Sequence, residues 1–215
     1  MKFRFNQKLY IPFIIAVVVY LLSYQLPKYL VSFDRLHCLQ TYIDTLIPFY
    51  PPSIVIYVGA FLQWFNAILI ALGQDKEKGY RYASAVIIGS LIGMIIYFVY
   101  PTCVYRPEVV GTSIFDLLCK FIFMVDNIIN ACPSFHCFCS TILLFVIYDC
   151  EDIKKSTLYF NIVFSILVFI STLLTKQHVF VDVIGGIILA IISFVLSKKI
   201  VFKDLFDRLN EKYKM

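Results

Sequence analysis

Six long apolar runs constrain this sequence of 215 residues more than any other feature. A helix needs about 20 mostly apolar residues to cross the hydrocarbon core of a bilayer. Because backbone groups in lipid must be hydrogen-bonded within the chain, runs near that length indicate helices. The sequence therefore predicts an all-α bundle of six transmembrane helices in one integral membrane domain over residues 1–215. The predicted spans are Leu9–Leu26, Ile54–Leu72, Tyr82–Tyr100, about Pro133–Tyr148, Leu158–Leu174 and Val179–Leu196.

The scarcity of charge excludes an ordinary soluble domain. Charged residues make up 15% of the chain, whereas roughly a quarter is usual in soluble proteins. The first apolar run is longer than the core of a typical signal peptide, and no small-residue cleavage site follows it. We therefore expect this run to be retained as a span.

The distribution of Lys and Arg predicts the orientation, because cytoplasmic loops carry the excess of these residues. The opposite face carries five of them, Lys28, Arg35, Arg106, Lys120 and Lys176. Both termini are therefore predicted in the cytoplasm of a multi-pass protein of the cell membrane. The net charge of +5 reflects this bias, so a nucleic-acid partner is not expected. Fourteen lie on the predicted cytoplasmic face: Lys2, Arg4, Lys8, Lys76, Lys78, Arg81, Lys154, Lys155, Lys198, Lys199, Lys203, Arg208, Lys212 and Lys214.

Four further patterns concern individual segments and residues. The stretch from Ser113 to Asn130 mixes charges with large apolar residues, which is typical of a helix lying in the membrane interface. The tail over 197–215 is predicted to be an amphipathic cytoplasmic helix on the membrane surface. Gly89 and Gly93 form a GxxxG pattern, which predicts close helix packing within the chain or, as the alternative, across a dimer. The seven cysteines show no CxxC or zinc spacing, and one bridge on the outer side remains open.

Unusual polar residues cluster where the spans meet the predicted outer face, and ionisable groups at such depths are costly and usually functional. Asp182 follows His178 by four residues, so its carboxylate can accept a hydrogen bond from one ring nitrogen and leave the other basic. An imidazole oriented in this way is a nucleophile. A second histidine, His136, can give a proton to a leaving oxygen.

Cationic and hydroxyl groups complete the predicted site. Arg106 and Lys176 supply positive charge, and arginine can hold two phosphate oxygens at once. Ser134 and Ser171, with backbone N–H groups at the start of the fourth span, can bind the remaining oxygens. The set predicts phosphoryl transfer through a phosphohistidine, with no metal or other cofactor, because side chains stabilise the transferred charge.

Three segments, "RP" at Arg106, "PSFH" at 133–136 and "STLLTKQHVFVD" at 171–182, resemble the type 2 phosphatidic acid phosphatase (PAP2) superfamily. Its usual pattern is KxxxxxxRP, PSGH and SRxxxxxHxxxD. The resemblance covers core motifs over 99–186 and implies a six-helix core. It implies that His178 is the nucleophile, that Asp182 is its partner, that His136 assists the leaving group and that Arg106 holds phosphate.

This chain departs from the family pattern at three positions, where Val99 replaces the lysine, Phe135 the glycine and Thr172 the arginine. Its form of the motifs is more similar to a branch that includes bacterial relatives of inositol phosphorylceramide synthase. That branch mixes hydrolases with phosphotransferases. We also expect Phe135, with its large side chain, to narrow access to the site.

The function predicted first is hydrolysis of a lipid phosphate ester or pyrophosphate at the outer membrane face. The second is transfer of a phospho-headgroup to a lipid alcohol. Two alternatives from other classes remain, namely a metal-dependent hydrolase using His136, His178 and Asp182 as ligands, and a non-enzymatic membrane protein or transporter. The expected partners are a lipid phosphate and the bilayer.

Overall fold

Helices account for most of the chain in the computed structural model, which describes residues 5–150, 153–199 and 202–213. A two-stranded parallel sheet, β1 (His37–Cys38) and β2 (Thr102–Cys103), joins two interhelical segments. Short 3₁₀ turns cover Gln7–Leu9, Phe33–Arg35 and Pro51–Ser53. The α-helices in these ranges are α1 (Tyr10–Leu30), α2 (Tyr42–Leu46), α3 (Ile54–Leu72), α4 (Lys76–Val99), α5 (Ile114–Val125), α6 (Phe135–Tyr148), α7 (Lys155–Leu174), α8 (Phe180–Ser197) and α9 (Lys203–Lys212).

Five helices in the described ranges are long and apolar enough to cross a bilayer, which makes the chain an integral membrane protein. They are α1, α3, α4, α7 and α8, and the first two include a 3₁₀ turn at their start. The predicted fourth span corresponds to α6, which has 14 residues and rises only about 21 Å. Most of its residues are buried, because α3, α4, α7 and α8 pack around it. The structure thus gives five full-length spans and one short inner helix where six spans were expected.

The predicted third span begins too late in the sequence. Helix α4 starts at Lys76 instead of Tyr82, and the Asp75 side chain caps it by accepting from the Lys78 backbone N–H at 2.9 Å. A capping aspartate satisfies one of the free N–H groups at a helix start. The polar loop predicted here is therefore mostly the first two turns of a helix.

The GxxxG pattern of α4 receives aromatic side chains of α6. A β-carbon at Gly89 would overlap the ring of Phe138, and one at Gly93 would overlap the ring of Phe135. Packing of these glycines within the chain is therefore confirmed. The expectation that Phe135 narrows access to the site is wrong, because its ring is buried in the bundle against Tyr97 and Tyr20.

The helices alternate in direction, so the segments between them gather at two ends. At one end, the Tyr50 N–H donates to the Leu174 carbonyl, and the Ser134 N–H to the Asp182 carbonyl. This is the histidine end, which carries His136 and His178. At the other, the terminal end, the Asn6 N–H donates to the Leu72 carbonyl. The predicted outer and cytoplasmic segments are thus separated, while their orientation in the membrane stays a prediction.

Helix α9 packs against the terminal end of the bundle. Phe206 is fully buried with its ring centroid 5.0 Å from that of Tyr80. Lys76 pairs with Asp207 at 2.7 Å, and the Asn210 amide donates to the Lys8 carbonyl at 2.9 Å. The tail is therefore anchored on the protein itself, and its contact with a membrane surface stays a prediction. Lys2, Arg4, Lys214 and tail residues 200, 201 and 215 lie outside the described ranges.

We expect Glu77→Cys and Glu108→Cys to label from opposite sides of the membrane. Both side chains are exposed, Glu77 at the terminal end and Glu108 in the segment that carries Arg106. A membrane-impermeant maleimide added to intact cells should modify the variant at 108 and should reach that at 77 only after permeabilisation. The unsubstituted chain gives the background from native cysteines. Labelling at 77 in intact cells would contradict the orientation.

Candidate active site

His178 and Asp182 meet at the start of α8. The carboxylate Oδ2 of Asp182 lies 3.4 Å from His178 Nδ1 and accepts the Val179 N–H at 2.9 Å. Asp182 has no solvent exposure, and its Oδ1 has no partner among the described residues. The helix start favours a negative charge there. Because Nδ1 faces the carboxylate, Nε2 is the ring nitrogen of His178 left for chemistry.

His136 lies in the first turn of α6, inside an aromatic cage. Its ring stacks on that of Tyr57, with the two centroids 4.1 Å apart. The rings of Trp64 and Phe61 are T-shaped to it, with centroids 4.9 and 5.5 Å from that of His136. Its Nε2 is buried without a hydrogen-bond partner among the described residues. The centroids of the His136 and His178 rings are 6.1 Å apart. The imidazole of α6 and that of the segment before α8 thus lie side by side in the interior.

Local backbone contacts explain why these two helix starts coincide. Ser134 caps α6, its hydroxyl accepting from the Cys137 N–H at 3.4 Å, and its own N–H donates to the Asp182 carbonyl at 3.0 Å. Gly186 allows this approach, because a β-carbon there would overlap the Ser134 carbonyl. Predicted site residues Ser134, His136, His178 and Asp182 are therefore brought together.

Arg106 reaches the same end but binds carbonyl oxygens. Its Nη1 donates to the Asp126 carbonyl at 2.6 Å, and Nη2 donates to the Asn127 carbonyl at 3.0 Å and to Gln177 Oε1 at 2.6 Å. Burial lowers the pKa of the guanidinium from its ordinary value. Its Nε–H has no partner among the described residues. Arg106 therefore holds the segment after α5, with one donor left open.

A buried ion pair that the sequence reasoning missed lies beside Arg106. The Asp126 carboxylate accepts from Lys28, at the end of α1, and from the Tyr24 hydroxyl at 3.0 Å. Burial alone would raise the pKa of Asp126, but the charge of Lys28 and its hydrogen bond hold that pKa below the ordinary value. The sequence analysis used Lys28 only to predict the orientation of the chain in the membrane, although a lysine near the end of a membrane helix could have indicated an ion pair. Val99, which stands where the family pattern has a lysine, is 72% exposed and is not part of this ion pair.

Lys176 and Ser171 are turned to other partners. The Lys176 amine donates to the Asp44 carbonyl at 3.0 Å and to the Ile47 carbonyl, and burial lowers its pKa. The Ser171 hydroxyl donates to the Val168 carbonyl of its own helix at 2.8 Å. Lys176 and His178 line a crevice with a free volume of about 10 Å³, room for roughly one water molecule. A phosphate group can reach His178 by this route only if the crevice opens.

An apolar cleft between α1, α3, α4 and α6 lies next to the aromatic cage. Its free volume is about 280 Å³, and it is lined almost wholly by apolar atoms. Phe61 and Trp64, whose rings contact His136, also line this cleft. The cleft therefore provides room for a hydrocarbon chain next to the rings that contact His136.

Comparison with known proteins found a family match. Residues 55–196 match the family model described as the PAP2 superfamily. The match covers 142 of the 215 residues, from α3 to α8. A search of curated proteins and a search of solved structures each found no match. The matched range contains both imidazoles, Asp182 and Arg106.

Proposed function

The chain belongs to the PAP2 superfamily, and we propose that it is a lipid phosphatase of the cell membrane. It hydrolyses a phosphate ester or pyrophosphate of a lipid through a phosphohistidine on His178, at the outer face. One observation carries this proposal: His178, oriented by Asp182 at 3.4 Å, lies beside His136 with ring centroids 6.1 Å apart. Superfamily membership itself points to phosphatase or phosphotransferase activity on lipids.

The reaction proceeds in two displacements. Nε2 of His178 forms a bond to phosphorus while the bond from phosphorus to the lipid oxygen breaks, and His136 gives its proton to that oxygen. Water then attacks phosphorus as the bond to His178 breaks, and His136 takes the proton from the water. Asp182 stabilises the positive charge that develops on the His178 ring.

Positive charge beside the site supports binding of an anionic headgroup. Arg106 and Lys28 are both half-buried at the histidine end, and Asp126 is the acidic partner of this cluster. The phosphate-binding roles of Arg106, Lys176, Ser134 and Ser171 belong to the proposal. Lys176 can bind phosphate only after its hydrogen bonds to the Asp44 and Ile47 carbonyls break.

The apolar cleft supports a lipid substrate. Its lining residues Phe61 and Trp64 also contact His136, so a hydrocarbon chain in the cleft places its headgroup near the imidazoles. Burial of each methylene of such a chain contributes about 0.8 kcal/mol. A water-soluble phosphate gains nothing from this surface.

Filling the cleft should therefore discriminate between long and short substrates. Ala67 lines it, and Ala67→Phe is expected to lower kcat/KM for a long-chain lipid phosphate about tenfold, as a few lost methylene contacts do. A short-chain analogue should be affected little. Leu62→Phe is the matched control, because Leu62 is 76% exposed on the same helix. An equal loss of kcat/KM on both substrates would show that the cleft does not bind the lipid chain.

Transfer to a lipid alcohol is the second candidate, favoured by the narrow crevice at His178, which limits access of water. Product analysis with a lipid labelled in its phosphate decides between the two. With purified protein in detergent, we expect soluble inorganic phosphate even when ceramide or diacylglycerol is added. Label mainly on the added alcohol would replace hydrolysis by transfer.

A metal-dependent reaction is tested in the same assay. In the part of the chain that the structure describes, no group of three or more His, Cys, Asp or Glu side chains is arranged to hold a metal. We expect full activity in excess EDTA. Loss of activity in EDTA, restored by one divalent ion, would favour the metal-dependent alternative.

A further inference from the structure

Unsatisfied polar atoms concentrate at the histidine end. Within the described ranges, seven buried side-chain nitrogen or oxygen atoms lack a hydrogen-bond partner. Four belong to one neighbourhood, namely Arg106 Nε, His136 Nε2, Gln177 Nε2 and Asp182 Oδ1. Buried polar groups are almost always paired, so such a concentration needs an explanation. Two of the four, Arg106 Nε and Gln177 Nε2, carry N–H groups that can only donate, which fits a ligand rich in acceptor oxygens.

Gln177 is the member of this group for which the sequence analysis had no role. It is 3% exposed and directly precedes His178. The backbone N–H groups of both residues donate to the Thr172 carbonyl, at 3.0 and 3.1 Å. The backbone of Gln177 is therefore fixed relative to the proposed nucleophile by a shared anchor, and its side chain is held by Arg106.

The orientation of the Gln177 amide follows from its partner. Arginine offers only donors, so the amide atom 2.6 Å from Arg106 Nη2 must be the oxygen. The amide nitrogen, with two hydrogens, is therefore directed elsewhere and has no partner among the described residues. On the guanidinium, Nη2 and the open Nε lie along one edge. The open donors of Arg106 and Gln177 thus belong to two groups that are hydrogen-bonded to each other.

From this geometry we infer that Gln177 is a phosphate-binding residue, whose amide N–H donates to an oxygen of the transferred phosphoryl group. Arg106 Nε–H donates to the same group, and Arg106 Nη2 sets the amide orientation. The inference rests on the proposed function and adds a neutral donor to it. The family's second arginine is Thr172 in this chain, and the Thr172 carbonyl instead anchors Gln177.

Gln177→Glu separates donation to phosphate from simple anchoring of Arg106. A glutamate still accepts from Arg106 Nη2 but has no N–H to donate, and it places a negative charge against the phosphate. We expect kcat/KM to fall about 10²- to 10³-fold, the loss typical of one donor to a developing oxyanion. Gln25→Glu, exposed on α1, is the control and should stay within about threefold of wild type.

A binding measurement with orthovanadate keeps the inference independent of turnover. Vanadate should raise the melting temperature of the wild type and of Gln25→Glu, but not that of Gln177→Glu. Full stabilisation of Gln177→Glu, or kcat/KM within about threefold of wild type, would reduce Gln177 to an anchor and overturn the inference.

Two further outcomes concern the folding of Gln177→Glu and the activity of the wild type. If Gln177→Glu does not fold, Gln177→Met takes its place as an uncharged side chain of similar length. The inhibition constant of vanadate for Gln177→Met should then rise at least about tenfold, because the variant has lost a donor. An unchanged constant would overturn the inference. A wild type that binds vanadate yet releases no phosphate from any lipid would contradict the proposed function, while the vanadate measurements would still test Gln177.

Discussion

His178→Ala is expected to abolish turnover of a lipid phosphate. Removing a nucleophile or its base in a catalytic unit costs on the order of 10⁶-fold in kcat, and the alanine leaves no group to form the bond to phosphorus. Initial rates of phosphate release by purified variants, at saturating lipid in detergent, measure the effect. His37→Ala is the matched control, because His37 lies on β1 and stacks on Tyr100, away from the imidazole pair.

Two results would contradict this assignment. If His178→Ala retains activity within about tenfold of wild type, His178 is not the nucleophile. If His37→Ala loses as much activity as His178→Ala, the loss reflects damage to the histidine end in general. The expected pattern is an inactive His178→Ala beside a nearly unchanged His37→Ala, with equal melting temperatures.

Asp182→Asn is expected to lower kcat about 10⁴-fold with little change in KM. The comparable substitution in a serine protease triad costs about that much. Asparagine lacks the charge that stabilises a cationic ring, and it can present amide hydrogens to His178 Nδ1. That contact favours the tautomer with its proton on Nε2, which blocks the nucleophile. Because Oδ2 makes both contacts, an amide nitrogen turned to His178 also leaves the Val179 N–H without this acceptor. Loss of one cap costs only about 1 kcal/mol, so the fold should persist with a slightly lower melting temperature.

Asp204→Asn provides the control for this substitution, because Asp204 is exposed in the first turn of α9 at the terminal end. It should leave both kinetic constants within about twofold of wild type. A large rise in KM for Asp182→Asn, with kcat preserved, would instead show that Asp182 acts in substrate binding.

The local parts of the site could be predicted from the sequence because they join residues that are close together along the chain. A separation of four residues predicted His178 and Asp182 on one helical face. In the structure His178 precedes α8, whose N-cap is the extended Val179, and the pair still forms at 3.4 Å because the chain folds back at this cap. Apolar runs likewise predicted the membrane helices, since length and hydropathy are properties of a segment. Superfamily membership followed from the order of the motifs and agrees with the match over residues 55–196.

Contacts between distant segments were beyond such reasoning. The partners of Arg106 depend on how the chain returns after α5, which no local pattern encodes. The same holds for the pair formed by Lys28 and Asp126, which are 98 residues apart. Phe135 was misplaced because a large side chain at the family's glycine position suggested a narrowed entry, whereas Gly93 on another helix provides the space that its ring fills.

The length of α6 shows how tertiary packing changes a membrane rule. Its apolar run was interpreted as a span although it is shorter than the about 20 residues that a helix in contact with lipid needs. Surrounded by four helices, α6 exposes little surface and ends at Tyr148. A helix enclosed by protein does not need to match the full hydrocarbon thickness.

The stereochemical outcome at phosphorus tests the central claim, a covalent phosphohistidine on the path to hydrolysis. A lipid phosphate monoester made chiral at phosphorus by isotopic and sulfur substitution is hydrolysed by the purified protein, and the configuration of the released product is determined. Each in-line displacement inverts phosphorus, so attack by His178 followed by attack of water predicts overall retention. Overall inversion would show a single displacement by water and would contradict the account.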